Sequence, residues 1–368
     1  SGHSATFANT YPIQVTALDG KKTVIVNTDN EFTYLGRLVV DFDAAGNIIT
    51  PNLASRVPVN GAYASTTDNV AAAWGVPAMD LATTAFASGT KGSAVKSITD
   101  AVQGVINTKD GTVYGITNVY LEGERAFVRS EETNLGNITA DANTAGLRKI
   151  IGGTDPIVSL KNGGGIRAQI GAVSSDGGSA TKLPPPANPS VNKPAGGVSL
   201  LDIENALRFN NKLITFVTNP VGLKAILEHG VASYPNQGRF PQVGGVAFSW
   251  NPALSANQRI LSISLIGEDG LPAAAIYQNG AFVSNAPATI RMVTLNFLAD
   301  NGDGYPMKVN GDNFQYLLDN NALGPVLDEA TSFTSVANLP ANAIGEQAVL
   351  AQYLVAKHPT AEKAYTAA

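Results

Sequence analysis

The run NGGGIR, residues 162–167, directly follows DPIVSLK, which reads as a short buried strand. Consecutive glycines at a strand end let the chain turn through positive φ and let a ligand approach the main chain. Asn162 supplies both a donor and an acceptor. Arg167 supplies a fork of donors suited to a phosphate, a carboxylate or paired ribose oxygens. A tight turn with a surface arginine accounts for the same residues. A second stretch, LNFLADNGDGYPM, places Phe297 six residues before Asp303, which lies in a glycine-rich turn. Its plainer reading is a strand running into a loop. In NALRFNNKLITF, Phe209 closes a predicted helix among polar neighbours, where a core phenylalanine is the default.

Composition limits what these residues can serve. The chain has 368 residues, enough for two domains, and 44% of them are hydrophobic, enough for a sizeable core. Charged residues are only 14%, below the roughly 25% usual in soluble domains. Net charge is −5 with no basic run, which excludes a surface that tracks polymeric nucleic acid. A small anion held by one or two arginines fits. The absence of cysteine excludes disulfides, thiolate catalysis and cysteine-ligated metals together. No apolar run approaches the ~18 residues of a membrane span. The abundance of glycine, alanine, asparagine, threonine and serine suits an extracellular or periplasmic protein. The opening SGHSATF lacks the charged and apolar regions of a signal peptide and starts abruptly.

Elements that could position the candidates follow from pattern. VTALDGKKTVIVNT predicts a hairpin turning at Asp19-Gly20, and LGRLVVDFDAAGNIIT another turning at Ala45-Gly46. DFDAAGN superficially resembles a calcium loop, but the twelfth position from Asp41 is Asn52 rather than a bidentate glutamate, so a turn is expected. Residues 54–115 are alanine-rich with helical spacing and suit a connector. TNVYLEG, DPIVSLK, RFPQVGGVAFSW, RILSISLIG and ATIRMVTLNF predict strands. The second half of ERAFVRSEETNLGNITADANTAGLRKI, LKAILEHG, DNFQYLL and GEQAVLAQYLVAKH predict helices. Residues 172–198 form a proline-, glycine- and serine-rich insertion. Helices and mixed strands without steady βαβ alternation argue an α+β fold for the last two thirds.

In their order, VYLEGERAFVRSEETNLGN, NGGGIR, ALRFNNKLITF, LKAILEHGV, GRFPQVGGVAFSW, NFLADNGDGY and EQAVLAQYL resemble the C-terminal, nucleotide-binding domain of the 5'-nucleotidase family. The resemblance covers about 250 residues. SGHSATF, IVNT, LGRLVVDF and AAGNI resemble the last segment of the family's metallophosphoesterase domain. The implied organisation is a β-rich remnant of that α/β domain over 1–53, a helical connector over 54–115, and a mixed-sheet nucleotide-binding domain over 116–368.

Matching residues carry the family's roles as implications. Phe209 and Phe297 would sandwich a base, Asp303 would accept hydrogen bonds from ribose hydroxyls, and Asn162, Gly164 and Arg167 would line the glycine loop against nucleoside and sugar-phosphate. Arg129 matches a further arginine of that pocket, and His3 matches a ligand to one of two divalent metal ions. Departures stand beside these matches. Ala5 occupies a position often polar in relatives. RFNN replaces PFGN, so Arg208 and Asn210 are expected to reshape the rim or add a phosphate contact. Asn301 replaces a glycine in a turn where asparagine tolerates positive φ. His229 and His358 close helices, where the helix dipole accounts for them. The family's DxH and GNH metal motifs do not occur in the chain. The resemblance therefore implies the substrate-recognition half of a secreted or periplasmic phosphohydrolase, with at most one metal ligand and the catalytic domain upstream. A non-catalytic nucleotide-binding or extracellular assembly protein reusing the fold is the alternative.

Overall fold

A computed structural model describes residues 11–28, 33–50, 60–174 and 180–366. The backbone divides into two units, Ser1–Gln103 and Gly104–Ala368, and the division falls inside the helix Lys91–Gly111.

In the first unit, Ile13–Thr16 pairs antiparallel with Lys22–Ile25. Gly20 supplies the positive φ of the expected turn, at 81°. The second expected hairpin differs. Tyr34–Arg37 pairs instead with Gly61–Ala64, and the DFDAAGN segment is closed by a single bridge between Phe42 and Ile48. Its turn is made by Asp43, whose carboxylate accepts from the main-chain N–H of Ala45 at 2.9 Å and of Asn47 at 2.8 Å. That carboxylate is used by the chain itself, as an Asx turn requires. Ala71, Leu81 and Ala85 form a small separate core.

The second unit holds the main core. Its longer helices are α1 (Asn134–Ile151), α2 (Leu200–Ala206), α3 (Pro220–Val231) and α4 (Glu346–Lys357). Its principal strands are β1 (Ile157–Asn162), β2 (Leu213–Thr218), β3 (Pro241–Gly244), β4 (Val246–Trp250) and β5 (Ile260–Ile266). They continue as β6 (Pro272–Gln278), β7 (Ala281–Phe282), β8 (Ile290–Leu295) and β9 (Asp312–Tyr316). A five-stranded mixed sheet runs β3-β1-β8-β2-β9. β1 and β8 are parallel and the other pairs antiparallel. The remaining strands form an antiparallel sheet, β4-β5-β6-β7. The chain passes from one sheet to the other at Gly245, whose φ is 69° and where a Cβ would lie 1.9 Å from the Ile157 carbonyl oxygen.

α1 begins with Thr133 as N-cap, its side chain accepting from the Gly136 N–H at 3.1 Å. Small residues on α1 permit close packing. A Cβ on Gly146 would meet Val349 of α4 at 2.8 Å. α2 opens with a capping box of Ser199 and Asp202.

Two predicted elements change type. DNFQYLL forms edge strand β9, not a helix: Phe314 and Tyr316 alternate inward, a period of two that matches the sheet face. Phe314 stacks on Phe216 of β2 with centroids 4.9 Å apart. TNVYLEG is largely irregular, holding two isolated bridges, Thr117 to Tyr365 and Leu121 to Ile170. The main-chain N–H of Glu122 is taken by the Asn134 side chain at 2.7 Å instead of a strand neighbour.

Candidate functional site

The floor of the site is the end of β1. All six residues of this strand are buried, inside the five-stranded sheet and against α1. Its polar side chains must therefore find partners. Lys161 pairs with Glu346 at 2.8 Å with both side chains shielded from solvent. Asn162 donates from Nδ2 to Asp303 Oδ2 at 2.7 Å, while its Oδ1 is buried without a hydrogen-bond partner.

The glycines that follow serve proximity, not the expected positive φ. Gly163–Gly165 form one turn of 3-10 helix, and none of them has positive φ. A Cβ on Gly163 would sit 1.8 Å from the Val128 carbonyl oxygen, and one on Gly164 3.0 Å from Gly238 Cα. The Gly164 N–H donates to the Gly238 carbonyl at 2.8 Å. Two loops, 128–133 and 236–240, thus lie directly on the glycine turn.

The first of these loops carries Arg129. Gln242 on β3, fully buried, holds it. Its Oε1 accepts from the Thr133 N–H at 3.1 Å, and its Nε2 donates to the Val128 and Glu131 carbonyls at 3.0 and 2.7 Å. Sequence spacing does not reveal this role, because Gln242 sits far along the chain in an ordinary strand pattern. The Arg129 Nε is buried without a partner, and its Nη1 and Asp303 Oδ2 lie 4.0 and 3.6 Å from where a Gly238 Cβ would stand. Burial, then the nearby charges of Arg125 and Arg167, push the Arg129 guanidinium down, against the opposing pull of Asp303. Arginines in excess over one carboxylate leave a field that favours an anionic group. Arg125 opens the short helix Arg125–Val128, which ends at Arg129.

Asp303 sits in a turn between two supports. The turn residues Asn301 and Asp303 both have left-handed backbones, with φ of 64° and 53°, so asparagine does tolerate the position where relatives carry glycine. Upstream, Asp300 accepts from Lys308 at 2.7 Å, from Ser332 at 2.8 Å and from the Thr334 hydroxyl at 2.6 Å. Burial alone would raise this carboxyl, but those hydrogen bonds outweigh it and hold the group well below the usual carboxylate range. Downstream, Tyr305 is fully buried and donates its hydroxyl to the Arg239 carbonyl at 2.6 Å.

The two phenylalanines are not core residues. Phe297 is 37% exposed and Phe209 61% exposed, which overturns the core reading of Phe209. Phe297 rests on Gly302, where a Cβ would lie 2.6 Å from ring atoms. Phe209 lies under the Arg167 guanidinium, 5.7 Å from ring centroid to Cζ, a cation–π distance. Arg167 also donates to the Gly164 carbonyl at 3.3 Å. Contacts therefore run in sequence from Phe297 through the Asp303 turn, Asn162 and Gly164 to Arg167 and Phe209.

Asn210 has a φ of 45°, and its Oδ1 accepts from the Gln347 N–H at 3.4 Å at the start of α4. Asn211 donates its N–H and Nδ2 to Glu346 Oε1 at 3.1 and 3.2 Å. Arg208 is exposed. His229 also does more than meet a helix dipole, as its Nε2 lies 2.9 Å from the Asp303 carbonyl oxygen. His3 and Ala5 lie outside the described residues. Among the described residues no three His, Asp or Glu side chains gather as a metal site.

The fold is similar to that of a solved 5'-nucleotidase. The crystal structure of a 5'-nucleotidase precursor from Thermus thermophilus superposes with a TM-score of 0.52 at 22% identity, covering 95% of this chain and 52% of that one. The chain belongs to the 5'-nucleotidase family: the family described as "5'-nucleotidase, C-terminal domain" matches residues 109–310. A trifunctional nucleotide phosphoesterase protein, YfkN of Bacillus subtilis, is 30% identical over 192 residues, which is 52% of this chain and 11% of that protein. The 5'-nucleotidase of Homo sapiens is 24% identical over 337 residues, covering 83% of this chain and 47% of that protein. The chain thus spans about half the length of such relatives, or less.

Proposed function

We propose that this chain is the nucleotide-recognition part of a secreted or periplasmic phosphohydrolase acting on nucleotide phosphoesters. The observation that carries this reading is the pairing of two exposed phenylalanines with the Asp303–Asn162 carboxylate–amide couple and the arginines around the glycine turn. Each part suits one portion of a nucleotide. Phe209 and Phe297 stack on the base, an interaction worth roughly 1–3 kcal/mol per base. Asp303 gives Oδ2 to Asn162, which fixes its plane and leaves Oδ1 for a ribose hydroxyl. Arg129, Arg125 and Arg167 supply positive charge for the phosphate, and the buried Arg129 Nε offers a donor that the protein does not use. Family relatives supply metal chemistry from an N-terminal metallophosphoesterase domain. That domain is expected upstream of this chain.

Calorimetry with adenosine and adenosine monophosphate tests the reading. Phe209→Ala with Phe297→Ala should abolish nucleoside binding while leaving the unfolding midpoint unchanged. Unchanged adenosine affinity in that double variant refutes the stacking assignment. The intact mass of the native protein is the companion measurement: a mass well above 38.1 kDa, with metal-dependent phosphate release, supports the hydrolase, whereas nucleotide binding without turnover supports a binding protein.

A further inference from the structure

We propose that His229 is the positioning residue for Asp303: it clamps the main chain of that aspartate so that the carboxylate faces the ribose. The inference rests on the reading of Asp303 as a ribose acceptor and adds what holds it there.

Asp303 has a left-handed backbone, φ 53° and ψ 17°, which aspartate adopts more readily than most residues with a Cβ, though at a cost. Two contacts hold it there. Asn162 donates to the carboxylate at 2.7 Å. His229, in the last turn of α3, meets the carbonyl oxygen of the same residue at 2.9 Å through Nε2. A carbonyl can only accept, so the proton belongs on Nε2. That tautomer leaves Nε2 no lone pair for Arg239, whose Nη1 stands 3.4 Å away. Arg239 is thus a charge beside the ring and not its donor. Burial, then this arginine, lowers the His229 pKa against the bonding to Asp303, so near neutral pH the ring holds its proton for the carbonyl without an added charge.

The ring is itself fixed. Tyr305 meets it edge-on with centroids 4.9 Å apart, and Tyr305 is bonded to the Arg239 carbonyl. Gly304 makes room, since a Cβ there would lie 3.2 Å from His229 Cε1. The charged groups facing His229 are Arg239 from the 236–240 loop and Asp303 from the turn. Its helix neighbour Glu228 is occupied elsewhere, accepting from the Arg259 and Ile260 N–H groups at 3.0 Å each. Release of the carbonyl frees Asp303 to rotate about its backbone, which misdirects the carboxylate without touching the base.

The test compares adenosine with 2',3'-dideoxyadenosine by calorimetry at neutral pH in the full chain. The variants are His229→Gln, whose amide reaches the place of Nε2, and His229→Asn, whose amide stops short. Wild type should prefer adenosine by about tenfold or more, the span of a hydrogen bond to a charged group. His229→Asn should bring that preference close to one while leaving dideoxyadenosine affinity within about twofold. His229→Gln should keep most of the preference. The proposal is overturned if His229→Asn retains the wild-type preference, or if it weakens both ligands equally, the mark of a merely structural role. A wild type that binds both ligands with equal affinity instead refutes the ribose role of Asp303, and the positioning role falls with it.

Discussion

The buried pair Lys161–Glu346 joins two parts of the site, because Lys161 precedes Asn162 on β1 and Glu346 binds the Asn211 amide next to the Phe209 loop. The two charges are not equally dependent on each other. Glu346 has Asn211 as a second donor and stands in the first turn of α4, where the helix dipole favours an anion. The Lys161 ammonium has no hydrogen-bond partner to replace Glu346. Breaking a buried pair by removing one partner costs about 3–5 kcal/mol. Lys161→Met should therefore fall near the lower end, about 3 kcal/mol, and Glu346→Leu near the upper end, about 5 kcal/mol. The double variant strands no charge and leaves only the Asn211 donors unpaired, a loss of about 1–2 kcal/mol. Thermal unfolding of the second unit reads this out, at roughly 2–4 °C per kcal/mol for a unit of its size. A double variant less stable than either single, or a Lys161→Met variant less stable than Glu346→Leu, would refute the reasoning.

Gln242→Leu removes the bonds that seat the Arg129 loop and leaves the Thr133 N–H and two carbonyls buried without partners, at about 1–3 kcal/mol for each such group. Affinity for adenosine monophosphate should fall more than affinity for adenosine, and equal losses in titration would show that the loop does not act through Arg129. Acid stability should depend on Asp300. Its folded carboxyl titrates below its ordinary value of 3.8, so its contribution is fully present above that value and is lost as pH falls from there toward the lowered one. Lys308→Met should therefore lower stability at neutral pH and flatten the pH dependence between about pH 4 and pH 2. An unchanged slope in denaturant titrations across that window would discount the Asp300 network.

Much of the site was legible in local sequence because its chemistry is carried by residue type at fixed offsets. Asn162 through Arg167, Phe297 with Asp303, and Arg129 all lie in short runs whose order resembles one family. The hairpin at Asp19-Gly20 follows from backbone rules that act within a few residues. The misread elements share a cause. DNFQYLL holds apolar residues at spacings that serve a helix or a strand, and only the open edge of β2 decides for the strand. The glycines of NGGGIR signalled freedom of φ, yet only the packed loops at Val128 and Gly238 reveal that their missing Cβ atoms make room.

The tertiary structure alone decided which side chains act on which. Gln242, His229 and Glu346 stand 113, 74 and 185 residues from Arg129, Asp303 and Lys161 respectively, and no local pattern links such pairs. Their contacts arise because the mixed sheet and its covering helices bring strand ends and helix termini to one edge, where buried polar groups must be paired. The amino-acid sequence by itself determined the family, the α+β class and the residues that could meet a nucleotide. Folding determined their orientation, because orientation depends on hydrogen bonds between distant segments that form only when water is excluded from them.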